Sequence, residues 1–330
     1  MNSKREVWVD YIKIFACVLV VLGHFFQSMV KAQVIPESHV YQWFNTTLYY
    51  FHVPLFFICS GYLYQRYAVI RNWESWKNNT VKKLVALGVP YFIFSFITWL
   101  LKTVFSGAVN EQVGGLFDTL LLHPVSPYWY LFILFFLFLI TPTVKSITGL
   151  ALLLGVSLGL KVATILMAGS PPFRIYAVTK ICQHWVWFVS GMLLAMIRGK
   201  KLRKPAVGLI LGAAFIALSI VTYQTENGFI AFAMGALACC SAILIAYACK
   251  ERKALSFLSQ YTMPVFLMHT LFAALTRIVL VKLDVSSPVI HLAAGLVMSF
   301  VGPFLTATVM KRLKMEWILS PRIRPKSKTG

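Results

Sequence analysis

Lys13 and His24 stand eleven residues apart within one apolar run, Trp8 to Gln27, which also holds Asp10. On a helix that spacing is three turns plus about 20°, so the two side chains share a face and lie roughly 16 Å apart along the axis. Asp10 sits close to the same stripe. An ionisable group at membrane depth costs about 2.5–3.5 kcal/mol on insertion scales and normally faces a bundle interior or a wet cavity. A neutral imidazole in that position can accept a proton from a hydroxyl, or it can bond a neighbouring helix. A lysine so near the start of the run can snorkel to the headgroups. It can equally offer a cation to an anionic ligand, with Asp10 one turn back to hold the ammonium in place.

The elements that must position these groups follow from composition. Of the 330 residues, 59% are hydrophobic and 12% charged, a balance outside the range of soluble domains. Ten apolar segments of spanning length are predicted, at 11–30, 49–66, 83–105, 127–144, 147–168, 178–197, 206–223, 228–249, 261–281 and 288–310. The loops between them are short, which predicts one transmembrane domain, 1–310, followed by a basic tail, 311–330. The first segment is long enough to span and lacks a small-residue cleavage site after it, so it reads as a retained anchor.

Charge supplies orientation. The net charge of +21 would point to nucleic acid in a soluble chain, but here the basic residues segregate. With the N-terminus in the cytoplasm, 23 of them fall on the inner side, against Lys31, Lys102, Arg174, Lys180 and Lys282 outside. The fold expected is therefore an all-α polytopic membrane protein, a bundle of about ten transmembrane helices with both termini cytoplasmic. The tail would rest on anionic lipid of the inner leaflet. All six cysteines lie in apolar runs, with no CxxC pair and no zinc-like Cys/His spacing, and no metal is expected.

Further segments carry polar groups into the apolar runs: Phe51-His-Val-Pro through Cys59-Ser-Gly-Tyr62, Pro127-Tyr-Trp-Tyr130, and Ser259-Gln-Tyr-Thr through Leu267-Met-His269. Together with Asp10-Tyr-Ile-Lys13 and Leu22-Gly-His24, and in this order, they resemble the integral-membrane acyltransferase-3 family. Its members move acyl groups from acyl-CoA onto cell-envelope sugars. The resemblance implies that His24 is the catalytic histidine and that Lys13 takes the place of a basic residue often found as arginine. It aligns Ser60-Gly61 with the second-span Ser-Gly, His269 with a ninth-span histidine, and Trp129 with a motif tryptophan. Where the family tends to carry an arginine pair shortly before a third-span proline, the residues just before Pro90 are apolar and the basic pair Lys82–Lys83 lies one to two turns further back.

The reading that follows is an O-acetyltransferase of the bacterial cytoplasmic membrane, with acetyl-CoA as co-substrate and a carbohydrate or lipid-linked glycan as acceptor. The CoA phosphates would meet Lys13, Arg66, Arg71, Lys82 and Lys83. Ser60, Trp129 and His269 would line the acceptor side, with Asp10 orienting Lys13. No carboxylate appears in mid-span to orient His24, so its partner is expected to be a hydroxyl, a backbone carbonyl, or Glu37 or Asp118 folding in from an outer loop. The alternative is a glycan or lipid-linked sugar flippase, for which the absence of a mid-span acid argues against proton coupling. A member of the membrane-bound O-acyltransferase superfamily is the remaining rival.

Overall fold

The computed structural model describes residues 5–68, 70, 72–197 and 202–321. Within them the chain is helical and holds no β-strand. In order the α-helices are α1 (Val7–Lys31), α2 (His39–Tyr49), α3 (His52–Tyr67), α4 (Trp73–Lys83), α5 (Val89–Val104), α6 (Trp129–Ile140), α7 (Ile147–Leu166), α8 (Tyr176–Leu194), α9 (Pro205–Thr222), α10 (Gly228–Ala248), α11 (Lys253–Leu258), α12 (Thr262–Lys282) and α13 (Pro288–Arg312).

Each predicted span coincides with a helix, and among the described residues seven helical rods are long and apolar enough to cross a membrane. The predicted spans at 49–66, 127–144 and 178–197 correspond to α3, α6 and α8 and do not meet that standard. α3 and α6 run for only 16 and 12 residues, and α8 carries Lys180, Gln183 and His184. Their placement explains how such segments persist. α3 packs along α8, α6 leans on α8, and nine of the 16 residues of α3 are buried, so these helices meet protein more than lipid.

Two elements depart from the prediction. The segment 31–48, read as an outer loop, contains α2, whose first turn is capped by Ser38 accepting from the Tyr41 amide at 3.2 Å. The third span is the apolar end of a 32-residue rod, Trp73–Val104. It opens on a capping box between Asn72 and Ser75, and a π-helical turn at Leu84–Gly88 joins α4 to α5. The predicted tail begins within α13, and its residues 322–330 lie outside the described set.

α1 is the axis of the fold, packed against α3, α10 and α12. Trp8 fixes its first turn, standing edge-on to Tyr62 at 4.7 Å and stacked on Tyr247 at 4.6 Å. The closest helix pair is α3 with α8, where two glycines face each other's backbone. A Cβ on Gly61 would lie 1.9 Å from the Phe188 carbonyl oxygen, and one on Gly191 would lie 2.0 Å from that of Ile58. Only residues without a side chain allow so near an approach, which is the packing that membrane helices use in place of a hydrophobic driving force.

Candidate active site

Val20, His24 and Gln27 fall on one stripe of α1, spaced by four and three residues, and all three line a cavity of about 200 Å³ inside the bundle. The turn between α2 and α3 closes one wall with Tyr49, His52 and Phe56, and the start of α6 closes another with Pro127, Trp129 and Tyr130. His24 is half-buried and makes no hydrogen bond to a described residue, which leaves its ring nitrogens available to a ligand.

Two further histidines flank it. The ring of His269, on α12, lies 5.5 Å from that of His24, centroid to centroid. Its Nδ1 is 3.0 Å from the carbonyl oxygens of both Val265 and Phe266. Carbonyls only accept, so Nδ1 carries the proton and the neutral ring keeps a lone pair on Nε2. That Nε2 is buried and has no hydrogen-bond partner. His52 is held the same way, Nδ1 donating to the Leu48 carbonyl at 2.7 Å, with its ring perpendicular to Tyr49 at 4.6 Å. Both backbone contacts therefore turn an acceptor nitrogen away from the helix. Tyr49 in turn donates to Gln27 Oε1 at 3.1 Å, and Gln27 Nε2 donates to Asn45 at 3.0 Å, which fixes the amide beside His24.

The remaining residues expected on this side occupy distinct places. Trp129 lines the cavity and leans on His184 at 5.3 Å. Ser60 sits behind the wall, its hydroxyl 3.0 Å from that of Tyr130, and reaches the cavity only through that tyrosine. Glu37 accepts from Gln42 at 3.1 Å and Asp118 pairs with His123 at 2.7 Å. Neither carboxylate lines the cavity, so neither orients His24. The groups that surround the base are instead Gln27, Tyr49 and the two carbonyl-locked histidines. His52 was not among the expected site residues, although its place two residues before Pro54 in an apolar run was an available signal.

At the opposite end of α1 the basic residues sort differently. Lys13 has no ion pair among the described residues. Lys83 extends over the face of Phe138, 4.0 Å from its centroid. Lys82 is exposed, Arg66 stands 3.5 Å from Glu6, and Arg71 lies outside the described residues. Asp10 does not orient Lys13. It pairs with Arg5, whose guanidinium also donates to the Ser259 hydroxyl and, at 2.9 Å, to the Ser256 carbonyl. A planar fork reaching three acceptors outcompetes a single ammonium one turn away. The cavity reaches down α1 only as far as Val20, two turns above Lys13. No group of three or more His, Cys, Asp or Glu side chains able to hold a metal occurs among the described residues.

Residues 6–308 match the acyltransferase domain of the acyltransferase-3 family, nearly the whole chain. The chain belongs to this family. That membership and the seven membrane-length helices among the described residues fit a multi-pass membrane protein. Among curated relatives, the nodulation protein NolL of Mesorhizobium japonicum is 26% identical over 154 residues, 46% of this chain and 39% of that protein. The chain thus matches well under half the length of that relative. No solved structure matches it.

Proposed function

We propose that the protein is an O-acetyltransferase of the bacterial cytoplasmic membrane, transferring acetyl from acetyl-CoA to a hydroxyl of a cell-envelope carbohydrate, free or lipid-linked. The observation that carries this reading is His24: a half-buried imidazole with no hydrogen bond to a described residue, facing a cavity of about 200 Å³ in which Gln27, Tyr49, His52 and Tyr130 are each fixed by a hydrogen bond. A family of acyltransferases needs a base that can take one hydroxyl proton inside the membrane, and His24 is built for that task.

In this mechanism ten spans place both termini in the cytoplasm. The CoA end docks at the Lys13 and Lys83 end of α1, joined by Lys82, Arg66 and Arg71 from the neighbouring segment, and the acyl end extends toward Val20. Movement of side chains at Val20 opens the way over the last two turns. A sugar hydroxyl enters from the other face against Trp129. As its oxygen attacks the thioester carbonyl, its proton passes to the free nitrogen of His24, and the C–S bond then breaks. The departing thiolate takes the proton back from His24, giving an O-acetyl ester and free CoA. The lone pairs of His269 and His52 face the positive charge that His24 carries between these events.

The test is mass spectrometry of envelope glycans from cells with and without the gene. The expected result is a species lighter by about 42 Da per lost acetyl in the deletion strain, restored by the wild-type gene and not by His24→Ala. Envelope glycans of unchanged mass but altered distribution across the membrane would favour a flippase instead.

A further inference from the structure

At the end of the bundle that holds Trp129, α7 and α8 carry two lysines that the acyl-transfer chemistry does not use. Lys180, expected on the outer side at the start of the 178–197 span, lies in the second turn of α8, half-buried, with its ammonium 5.2 Å from the centroid of Trp129 and 5.7 Å from that of Tyr176. Lys161, half-buried on the adjacent α7, stands 5.8 Å from the ring of Phe232. α7 packs along α8, so Lys161 near the end of α7 and Lys180 near the start of α8 stand at the same end of that helix pair, with His184 one turn beyond Lys180. Neither ammonium has a hydrogen bond or ion pair among the described residues. Asp118, in the connection before α6, is taken by His123, whose ring meets Tyr176 at 6.1 Å.

Two like charges gathered within packed helices repel, and aromatic faces offset that only in part. An arrangement of this kind is stable once an anion bridges it. Trp129 connects the two places, since its ring lines the His24 cavity while Lys180 reaches over its face. We propose that Lys161 and Lys180 bind an oxyanion carried by the acceptor, a carboxylate or a phosphate, while its neighbouring sugar lies on Trp129 with a hydroxyl toward His24. The acceptor would then be an acidic glycan or a glycan on a phosphate carrier, and a neutral sugar alone would bind weakly. The identity of this ligand as acceptor rests on the acyltransferase reading, but the anion site itself does not.

The experiment measures binding by thermal shift and calorimetry on the full chain in octaethylene glycol dodecyl ether, a detergent that brings neither phosphate nor sugar. The probes are glucuronate, inorganic diphosphate and glucose. The expected result is that at least one of the two anions binds the wild type about tenfold or more tightly than it binds Lys161→Gln/Lys180→Gln, with glucose indifferent to the change. Preference for glucuronate marks a carboxylate-bearing acceptor, and preference for diphosphate marks a phosphate-bearing one. His24→Ala keeps the anion binding even if it has no activity, which separates this site from the acyl-transfer proposal. Lys161→Arg/Lys180→Arg retains it too, and Lys180→Gln alone serves if the double variant does not fold. Anion binding that is absent from the wild type, or unchanged in the glutamine variants, overturns the proposal, because diphosphate held at Lys13 and Lys83 would survive those substitutions.

Discussion

The imidazole of His269 faces that of His24 across 5.5 Å with the ring planes tilted by 40°. Two carbonyls of its own helix hold the His269 proton on Nδ1, so its unpartnered Nε2 presents a lone pair within the bundle. A neutral acceptor in that place favours positive charge on its neighbour, which is the state a general base passes through as it removes a proton.

His24→Ala should therefore lower kcat for acetyl transfer by about 10²–10⁴-fold. His24 makes no hydrogen bond to lose, so the unfolding temperature and detergent elution profile should match the wild type. His269→Ala should give a smaller loss, about tenfold in kcat, with KM for acetyl-CoA unchanged. Normal turnover by purified His24→Ala would remove the base from the mechanism.

Lys13→Glu tests the other end of the stripe. In the proposed mechanism Lys13 meets the donor phosphates, so reversing its charge should raise KM for acetyl-CoA by about tenfold with little change in kcat. A lysine that serves only to snorkel would leave donor kinetics as they are. Asp10→Asn is the companion variant: because Asp10 pairs with Arg5 and not Lys13, it should leave that KM unaltered.

Gly61→Ala probes the α3 and α8 contact apart from the chemistry. The new methyl group would meet the Phe188 carbonyl oxygen at 1.9 Å, so the helices must separate. Overpacking of this kind should destabilise by about 1–3 kcal/mol, read as a lower midpoint of thermal unfolding. Ser60→Ala, one residue away, should lose only the bond to Tyr130, about 1 kcal/mol.

How much of this was legible beforehand depended on what each residue faces. The apolar runs announced every predicted helix, because lipid demands continuous hydrophobicity of any segment it touches. α4 escaped for the same reason in reverse: Trp73-Glu-Ser-Trp-Lys-Asn-Asn is polar, and its helix signal lay in the Asn72 and Ser75 capping box. α2 likewise announced itself only through Ser38. The stripe on α1 could be read from spacing alone, and His24 does line the cavity with Val20 and Gln27. Spacing could not say whether Asp10 would choose Lys13 or Arg5, since the winner also satisfies Ser256 and Ser259, some 250 residues further along the chain. Nor could it gather Lys161 and Lys180 around the Trp129 region, which depends on how α7 packs on α8.

Acid should loosen the loop that joins α5 to α6. Glu111 accepts from Lys31 at the end of α1 and stands 3.9 Å from Lys102 at the end of α5. The Lys31 bond, aided by both lysine charges, holds its carboxyl below the ordinary value of 4.5 although burial opposes this. A carboxylate depressed in the folded state contributes stability above its unfolded value, and that contribution disappears as pH falls through the lower folded value. Glu111→Gln should therefore unfold at lower temperature than the wild type at neutral pH, and the gap should close well below about pH 4. A gap that persists in acid would mean the side chain acts by packing.

The continuous rod from Trp73 to Val104 is 32 residues long, about 48 Å at helical rise, whereas the hydrocarbon layer is only about 30 Å thick. Its surplus is the polar α4, which must project into water as a post fixed to the membrane by α5. The two lysines at its foot, Lys82 and Lys83, are thereby stationed where the polar half of the rod gives way to the apolar half.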